Sequence, residues 1–449
     1  MNRSNERLNV LRLQEMVDQA SPGDHVTIPQ GEYLLDQPLV IDKPLHISGQ
    51  NLVHFVVTGY FHAIDIRASR VSLGGISFVV EIESALSDKY NFQDPAELRY
   101  HLHSLPALIH AYSITECKLH DCVVNANRKP FHGVYLKECK SVEVEKLRVK
   151  NTICGVVSHK TKSISLYCNQ CSGDIFGVLL LKSKGKICSN DCYNNFGAGI
   201  ALQEKSFAHI TDNRCHDNKE AGIFLHQSKG RIHGNECYGN EKSGIALLIK
   251  SFAHITDNRC HDNKQTGILL AQSKGRIHDN ECYGNELSGI PLQEKSFAHI
   301  TDNRCHDNKN AGIALDQSKG RISRNECFGN RSGIQLQISS RGFVRNNICR
   351  ENRSGIVLVY GAYAAITGNW LYQNREFPVV FVNSDRSDST VEDNIEQVPE
   401  HNELEQSWLA RKPLGLALSE LRKEIDRVDN LHSFVRSGCV GCFNRYWLS

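Results

Sequence analysis

The chain repeats itself almost word for word. SFAHITDNRCHDNK occurs at 206–219, 251–264 and 296–309, a 45-residue period, with RIHGNECYGN, RIHDNECYGN and RISRNECFGN at 231–240, 276–285 and 321–330 between the copies. Each period is two half-repeats on one frame: an apolar residue, Asn three later, Cys two after that, a second Asn three further on, then Gly followed by Ile or Val. The Gly marker recurs at Gly133, Gly155, Gly177, Gly199, Gly222, Gly244, Gly267, Gly289, Gly312, Gly333 and Gly355, at intervals of 21 to 23 residues. A unit this short cannot bury an apolar face alone, so such a chain must fold as stacked coils.

What the unit contains decides which coil it forms. A leucine-rich repeat has a similar length, but its Leu-x-x-Leu-x-Leu frame is missing, and no unit has room for a helix of ten residues. Each unit reads as three short alternating strands, such as Ile-x-Leu, Arg-Ile-His and Glu-Cys-Tyr, separated by Asn and Gly turns. The start of the chain adds a helical spacing at Leu8, Leu11, Leu13, Met16 and Val17, then a Pro22-Gly23-Asp24 turn, a Pro29-x-Gly31-x-Tyr33 hairpin and a strand from Ile41 to Leu45. This order, together with the repeat, resembles the right-handed parallel β-helix (PbH1-repeat) proteins of the pectate-lyase superfold. In character it is nearest to intracellular β-helix scaffolds and to NosD-like carbohydrate-binding repeat proteins. The resemblance implies an all-β fold: a single right-handed parallel β-helix solenoid of ~22-residue coils over residues 21–395, capped by a helix within 1–20. An insertion at 82–105 breaks the rhythm, and 396–449 reads as an acidic linker, a C-terminal helix and a Cys-x-x-Cys tail.

Charge and cysteine usage narrow the function classes. With 52 basic and 50 acidic residues the net charge is +2, so a polyanion site has to be local. No leader-like apolar run opens the chain and no stretch approaches eighteen apolar residues, which predicts no membrane contact. Nine of the 17 cysteines, Cys171, Cys192, Cys215, Cys237, Cys260, Cys282, Cys305, Cys327 and Cys349, share one inward repeat position. Parallel thiols on strands ~4.8 Å apart point the same way and cannot all pair, so they form a packing ladder of small hydrophobes. A reduced, cytoplasmic protein with no cofactor is expected.

The repeat also sorts its polar residues into columns. Asn190, Asn213, Asn235, Asn258, Asn280, Asn303, Asn325, Asn347 and Asn369 form one Asn column, and Asn195, Asn218, Asn240, Asn263, Asn285, Asn308, Asn330, Asn352 and Asn374 a second; both are structural. Arg214, Glu236, Arg259, Glu281, Arg304 and Glu326 place opposite charges on neighbouring coils and set register. The strand after each Gly is where related sugar enzymes carry part of their cleft. Its outward residues are mostly apolar or Gln, and the candidate acids and bases are sparse: His159 and His226, three coils or ~14 Å apart, and Asp316, which lies among glutamines with Glu294 its only plausible carboxylate partner. These four are weak candidates for a lyase, epimerase or hydrolase, which needs paired carboxylates or a base with cationic help. The middle strand is richer. Lys186, His209, Arg231, His254, Arg276, His299 and Arg321, with His233 and His278 beside them, make a basic and imidazole stripe.

The leading expectation is therefore a binding scaffold whose stripe meets a protein partner or an extended anionic polymer, polysaccharide among them. The alternative is a polysaccharide-active enzyme with its site near the 82–105 insertion. Leu414, Leu418, Leu421, Ile425, Val428, Leu431 and Val435 lie on one helical stripe, read as a cover for the last coil or a homodimer helix. Cys439 and Cys442, a lone pair at metal-ligand spacing, give only a weak metal signal.

Overall fold

The computed structural model describes residues 8–82, 102–384 and 389–396. Most of the insertion, the 414–435 stripe and the Cys439–Cys442 pair lie outside the described residues. The chain divides into two compact units, 1–236 and 237–449. In each, the described residues form a right-handed parallel β-helix of coils about 22 residues long. In sequence the repeat runs through the division without interruption.

A coil of the second unit shows how the sequence builds it. Its first strand is Ile290–Gln293, its middle strand Phe297–Thr301 and its third strand Arg304–His306. Each pairs in parallel with its own counterpart one coil on, as Ile290 with Ile313, Ile300 with Ile322 and Cys305 with Cys327. Ile290, Leu292, Ala298, Ile300 and Cys305 point inward and are fully buried. In the first unit the helix Val10–Gln19 buries Val10, Leu13 and Val17. Its Gln14 side chain donates to the carbonyl of Val40 at 3.1 Å and accepts from the Val40 amide at 2.9 Å. That pair satisfies backbone groups at the exposed edge of the strand Leu39–Ile41, which would otherwise invite pairing with another chain.

The Asn columns are hydrogen-bonded from coil to coil. The Asn303 side-chain oxygen accepts from the backbone N and the amide Nδ2 of Asn280, at 3.0 and 2.9 Å. Its own Nδ2 donates to Ile277 O, Thr301 O and Asn325 Oδ1, each at 2.9 Å. The left-handed turn residue is not the Asn itself but its predecessor: Asp302 has φ 58° and Asp307 φ 54°. The Asn keeps the backbone that aims its amide along the stack, and the residue before it makes the corner.

The cysteine ladder is a hydrophobic column. Cys171 pairs in register with Val149, and Cys349 with Leu371, so ordinary hydrophobes fill the same position where the cysteines stop. The second Asn column starts with a substitution, since Asp174 takes the place of Asn one coil before Asn195. Its N–H donates to Asn195 Oδ1 at 3.1 Å, while its Oδ1 accepts from Thr152 N and Oγ1, both at 2.7 Å. Oδ2 is buried with no hydrogen-bond partner. Burial pushes the Asp174 carboxyl well above its ordinary value, so the folded state favours the protonated form.

Two stability outcomes follow from these columns. Asn303→Ala leaves several buried groups unpaired, each at about 1–3 kcal/mol, and should lower the urea midpoint markedly. Lys309→Ala, which removes only an exposed pair with Glu286, should leave it nearly unchanged. For Asp174 the folded pKa lies above the unfolded one, so its contribution is full below the unfolded value of about 4 and is lost as pH rises through the folded value. Asp174→Asn should therefore melt higher than the parent at pH 7.5, and the gap should shrink at pH 4.5.

Candidate ligand-binding face

The middle strands carry a face that is both polar and open. In the second unit, alternation sends Ala298 and Ile300 inward and leaves Phe297, His299 and Thr301 outward; on the next coil Lys319 and Arg321 point outward. Three outward columns result, in strict register. They are Phe252–Lys274–Phe297–Lys319, His254–Arg276–His299–Arg321 and Thr256–His278–Thr301–Ser323, the last becoming buried at Ser323. The first unit has the same arrangement, Lys184–Phe207–Lys229 beside Lys186–His209–Arg231, with Thr211 under His233. Coils therefore alternate between an aromatic rung, Phe and His, and a dicationic rung, Lys and Arg. Within an aromatic rung the rings meet edge to face, 5.2 Å apart at 84° for Phe297 and His299. Reading the His and Arg positions alone missed the Phe/Lys column, although it stands in the sequence two residues upstream of each.

Charge pairing separates this face from its neighbour. On the third strands Arg214 faces Glu236 at 3.6 Å, Arg259 faces Glu281 at 3.7 Å, and Arg304 lies 3.4 and 3.5 Å from Glu281 and Glu326. On the middle strands Lys186, Arg231, Arg276 and Arg321 are exposed and have no ion pair among the described residues. Burial pushes the His299 imidazole below its ordinary value, and Arg321 and Arg276 beside it push it further; His209 is lowered in the same way by burial, Arg231 and Lys186. Both shifts favour the neutral imidazole, and the fixed charge comes from Lys and Arg. His278 instead turns its Nδ1 to Asp279 Oδ2 at 2.8 Å.

The columns end in a concavity. Arg321 pairs with Phe343, which is 62% exposed, and the Arg341 guanidinium lies 4.8 Å over the Tyr363 ring. With Phe297 and Lys319 these residues line a cavity of about 430 Å³. The third strands carry rings too, but use their faces on one another: Tyr283 stacks on His306 at 5.0 Å and His306 on Phe328 at 4.6 Å, within 6° of parallel. Only ring edges remain there for a ligand.

The four catalytic candidates do not come together. His226 sits half-buried at the end of the first strand Ile223–His226, its ring 6.4 Å from that of Phe224. Glu294 is in a left-handed turn (φ 51°) and accepts from Gln272 Nε2 at 2.7 Å, which turns it toward the preceding coil and away from Asp316 on the following one. His159 has company, though none that sequence spacing identified. The end of the insertion brings His103 to 4.3 Å from its ring, and His103 Nδ1 lies 3.0 Å from the Tyr135 hydroxyl. His110 bonds Asp65 at 2.8 Å and stacks on His62 at 3.9 Å, and Asp65 also binds Arg67 at 2.7 Å. Burial drives His62, His132 and His159 down to about 4 and Tyr135 up to about 12. His132 Nε2 meets Leu102 O at 2.9 Å and His62 Nδ1 accepts from Ala107 N at 3.0 Å, so this cluster of neutral rings pins residues 102–107 to the coils. His62, Asp65 and His110 lie on coils without the Gly marker, which is why counting from that marker passed over them.

The coils and their open face define a parallel β-helix repeat protein. The chain belongs to the NosD family: the family profile described as "Periplasmic copper-binding protein (NosD)" matches residues 99–288, 189–320 and 288–397, more than half of the chain. A search of curated proteins finds no match. Among solved structures the chain is similar to a mutant of the periplasmic alginate epimerase AlgG (15% identity, 64% of this chain and 77% of that one, TM-score 0.42). It is similar also to the Azotobacter vinelandii mannuronan C-5 epimerase AlgE6 A-module (12%, 88% and 100%, 0.42) and the Dettilon tailspike protein (11%, 83% and 64%, 0.45). At such identities the likeness concerns the fold alone.

The family overturns the expected cytoplasmic location, because its description is periplasmic. That expectation rested on the lack of a leader-like apolar run and on unpaired cysteines, and burial explains why the cysteines do not report the compartment. The nine ladder cysteines are buried in the core, out of reach of an oxidant, and desolvation raises the Cys260, Cys282 and Cys305 thiols well above their ordinary range. No described helix is long and apolar enough to cross a membrane.

The electrostatics of the face can be measured directly. By NMR titration His299 and His209 should show midpoints below the ordinary imidazole value of about 6.5. Arg276→Gln with Arg321→Gln should raise the His299 midpoint and leave that of His209 in place.

Proposed function

We propose that this protein is a binding β-helix that takes an extended acidic polysaccharide along its middle-strand face. One observation carries the reading: cationic rungs without carboxylate partners alternate with aromatic rungs, while the adjacent Arg column is neutralised by Glu. Strands step ~4.8 Å, so like rungs recur every ~9.6 Å along a unit. A sugar polymer lying across the strands would set carboxylate or sulfate groups against Arg and Lys, and the apolar faces of its rings against Phe. Arg fits this task because its planar fork binds an oxyanion through two parallel hydrogen bonds. Neutral His299 and His209 can donate to or accept from hydroxyls without adding charge. The periplasmic description of the family favours polysaccharide over nucleic acid.

Copper, which the family's description names, finds no fitting donors among the described residues. Among the described residues no group of three or more His, Cys, Asp or Glu is placed to hold a metal ion. The His62 and His110 rings lie face to face, 10° from parallel, so their in-plane lone pairs cannot converge on one ion. The ladder thiols are sealed in the core.

Calorimetry with heparin and alginate, against neutral dextran, tests the proposal. The parent should bind the acidic polymers and not dextran, more weakly as salt rises. Arg231→Gln, Arg276→Gln and Arg321→Gln together should weaken binding by roughly tenfold or more, about 1.4 kcal/mol per decade. Arg214→Gln, Arg259→Gln and Arg304→Gln together should change it far less. Equal affinity of the first triple variant and the parent, or no acidic-polymer binding by the parent, would defeat the reading and leave a protein partner as the ligand class to pursue.

A further inference from the structure

Two cysteines of the first unit stand outside the packing ladder and within reach of water. Cys168 is exposed and Cys188 half-buried, whereas every other described cysteine is buried. Cys188 ends the middle strand Lys184–Cys188, at the outward position held by Thr211 on the next coil and His233 on the one after. Cys168 follows the middle strand Ile164–Tyr167 of the preceding coil and makes its left-handed corner, with φ 55°. Ser189 (φ 56°) and Asp212 (φ 55°) make the same corner on the next two coils. The Cys168 amide donates to the Cys188 carbonyl at 3.2 Å, which sets the two residues diagonally across one coil boundary. Coils ~4.8 Å apart and one residue of strand rise, ~3.3 Å, put their Cα atoms ~5.8 Å apart, inside the ~4.4–6.8 Å that a disulfide spans. Both side chains are directed to one neighbour. The Cys188 sulfur lies 3.4 Å from the Ser189 hydroxyl. Corner side chains of this column reach toward the following coil, as Asp212 does where its Oδ1 stands 2.5 Å from the position a Cβ would take at Gly234. Cys168, one coil before Ser189, is placed to reach Ser189 in the same way.

We propose that Cys168 and Cys188 are a thiol–disulfide exchange site, which takes a low-molecular-weight disulfide and closes into a bond across the two coils. Cys168, the exposed member, gives up its thiol proton and attacks one sulfur of the small disulfide, breaking that S–S bond and releasing a first thiolate. The deprotonated Cys188 sulfur then attacks the mixed disulfide at Cys168, forms the Cys168–Cys188 bond and expels the second thiolate. The two cysteine protons end on the two released thiols. The small disulfide is thus the oxidant, reduced by two electrons, and the protein loses two hydrogens. The periplasm, which the family's description names, is a compartment where such bonds form and persist. The ladder thiols take no part, because the core that buries them does not admit the oxidant. The bond ties the coil that carries Lys184 and Lys186 to the coil before it.

The test incubates the folded full chain with glutathione disulfide, alkylates the remaining thiols in denaturant, digests without reduction and locates the bonds by mass spectrometry with fragment ions. The expected product joins Cys168 to Cys188 and leaves Cys171 and Cys192 alkylated. Cys188→Ser should instead retain glutathione on Cys168, and Cys168→Ser should give no crosslink. A bond between Cys171 and Cys192 overturns the proposal, as does a parent chain that keeps glutathione on both outer cysteines or reacts at neither. As a second readout, dithiothreitol added without denaturant should reopen the bond and restore both thiols. A bond that opens only on unfolding lies in the core, and that result also overturns the site.

Discussion

The amide of an asparagine, bonded to the coil before it and to the coil after it, is the contact from which the rest of each unit follows. An Asn side chain offers one acceptor with two lone pairs and two donor hydrogens, and Asn303 uses all of them in the dry corner between middle and third strands. A coil shifted by one residue would leave those groups unsatisfied and turn each strand inside out. Register is therefore held at a corner, and every other column inherits it. Cys stacks on Cys, Arg on Glu and Tyr on His because the corner permits no other alignment. Asp174 shows the rule by its exception: where a carboxyl replaces the amide, burial raises it well above its ordinary value and one oxygen is left without a partner.

Strict register has a consequence on the surface, since like would stack on like if every coil were the same. The 45-residue period avoids this by alternating two kinds of coil. On the third strands the alternation is Arg with Glu, and the charges cancel. On the middle strands it is Phe and His with Lys and Arg, and they do not. Cations two coils apart repel weakly across solvent, and the imidazole between them stays neutral, so the arrangement is tolerable without ligand and favourable with an anionic one. The polar face is thus set apart by what it lacks, a carboxylate column of its own.

The two sides of a coil also differ in what the chain can add to them. The first strands of the first unit receive the end of the insertion, where His103 reaches Tyr135 and His159 and where His132 and His62 hold the backbone of Leu102 and Ala107. Apart from Lys137 and Asp65, which pairs with Arg67 and His110, the outward residues there are apolar or neutral, in keeping with a surface that can be covered. The middle strands carry long charged side chains whose hydration opposes any such cover. Segments outside the repeat therefore have one side available to them, and ligands the other.

Much of this was legible in the sequence, because a period determines the direction of a side chain. Gly, Asn and Cys at fixed intervals identified the coil, its corners and its inward ladder, and two-residue alternation placed Lys186, His209, Arg231, Arg276, His299 and Arg321 outside. The Phe/Lys column was equally readable there, two residues upstream of the charged positions that drew the stripe. Other features had no periodic signature. The ring partner of His159 comes from the insertion, and His62, Asp65 and His110 meet on coils without the Gly marker, so spacing could not identify either group. Whether a column of outward apolar residues faces water or a cover depends on chain far away in sequence, and the protonation of Asp174 depends on desolvation that only the packed coil creates. The sequence determined which way each residue of the repeat points; the tertiary structure decided what it meets there, because direction follows from local backbone geometry and contact does not.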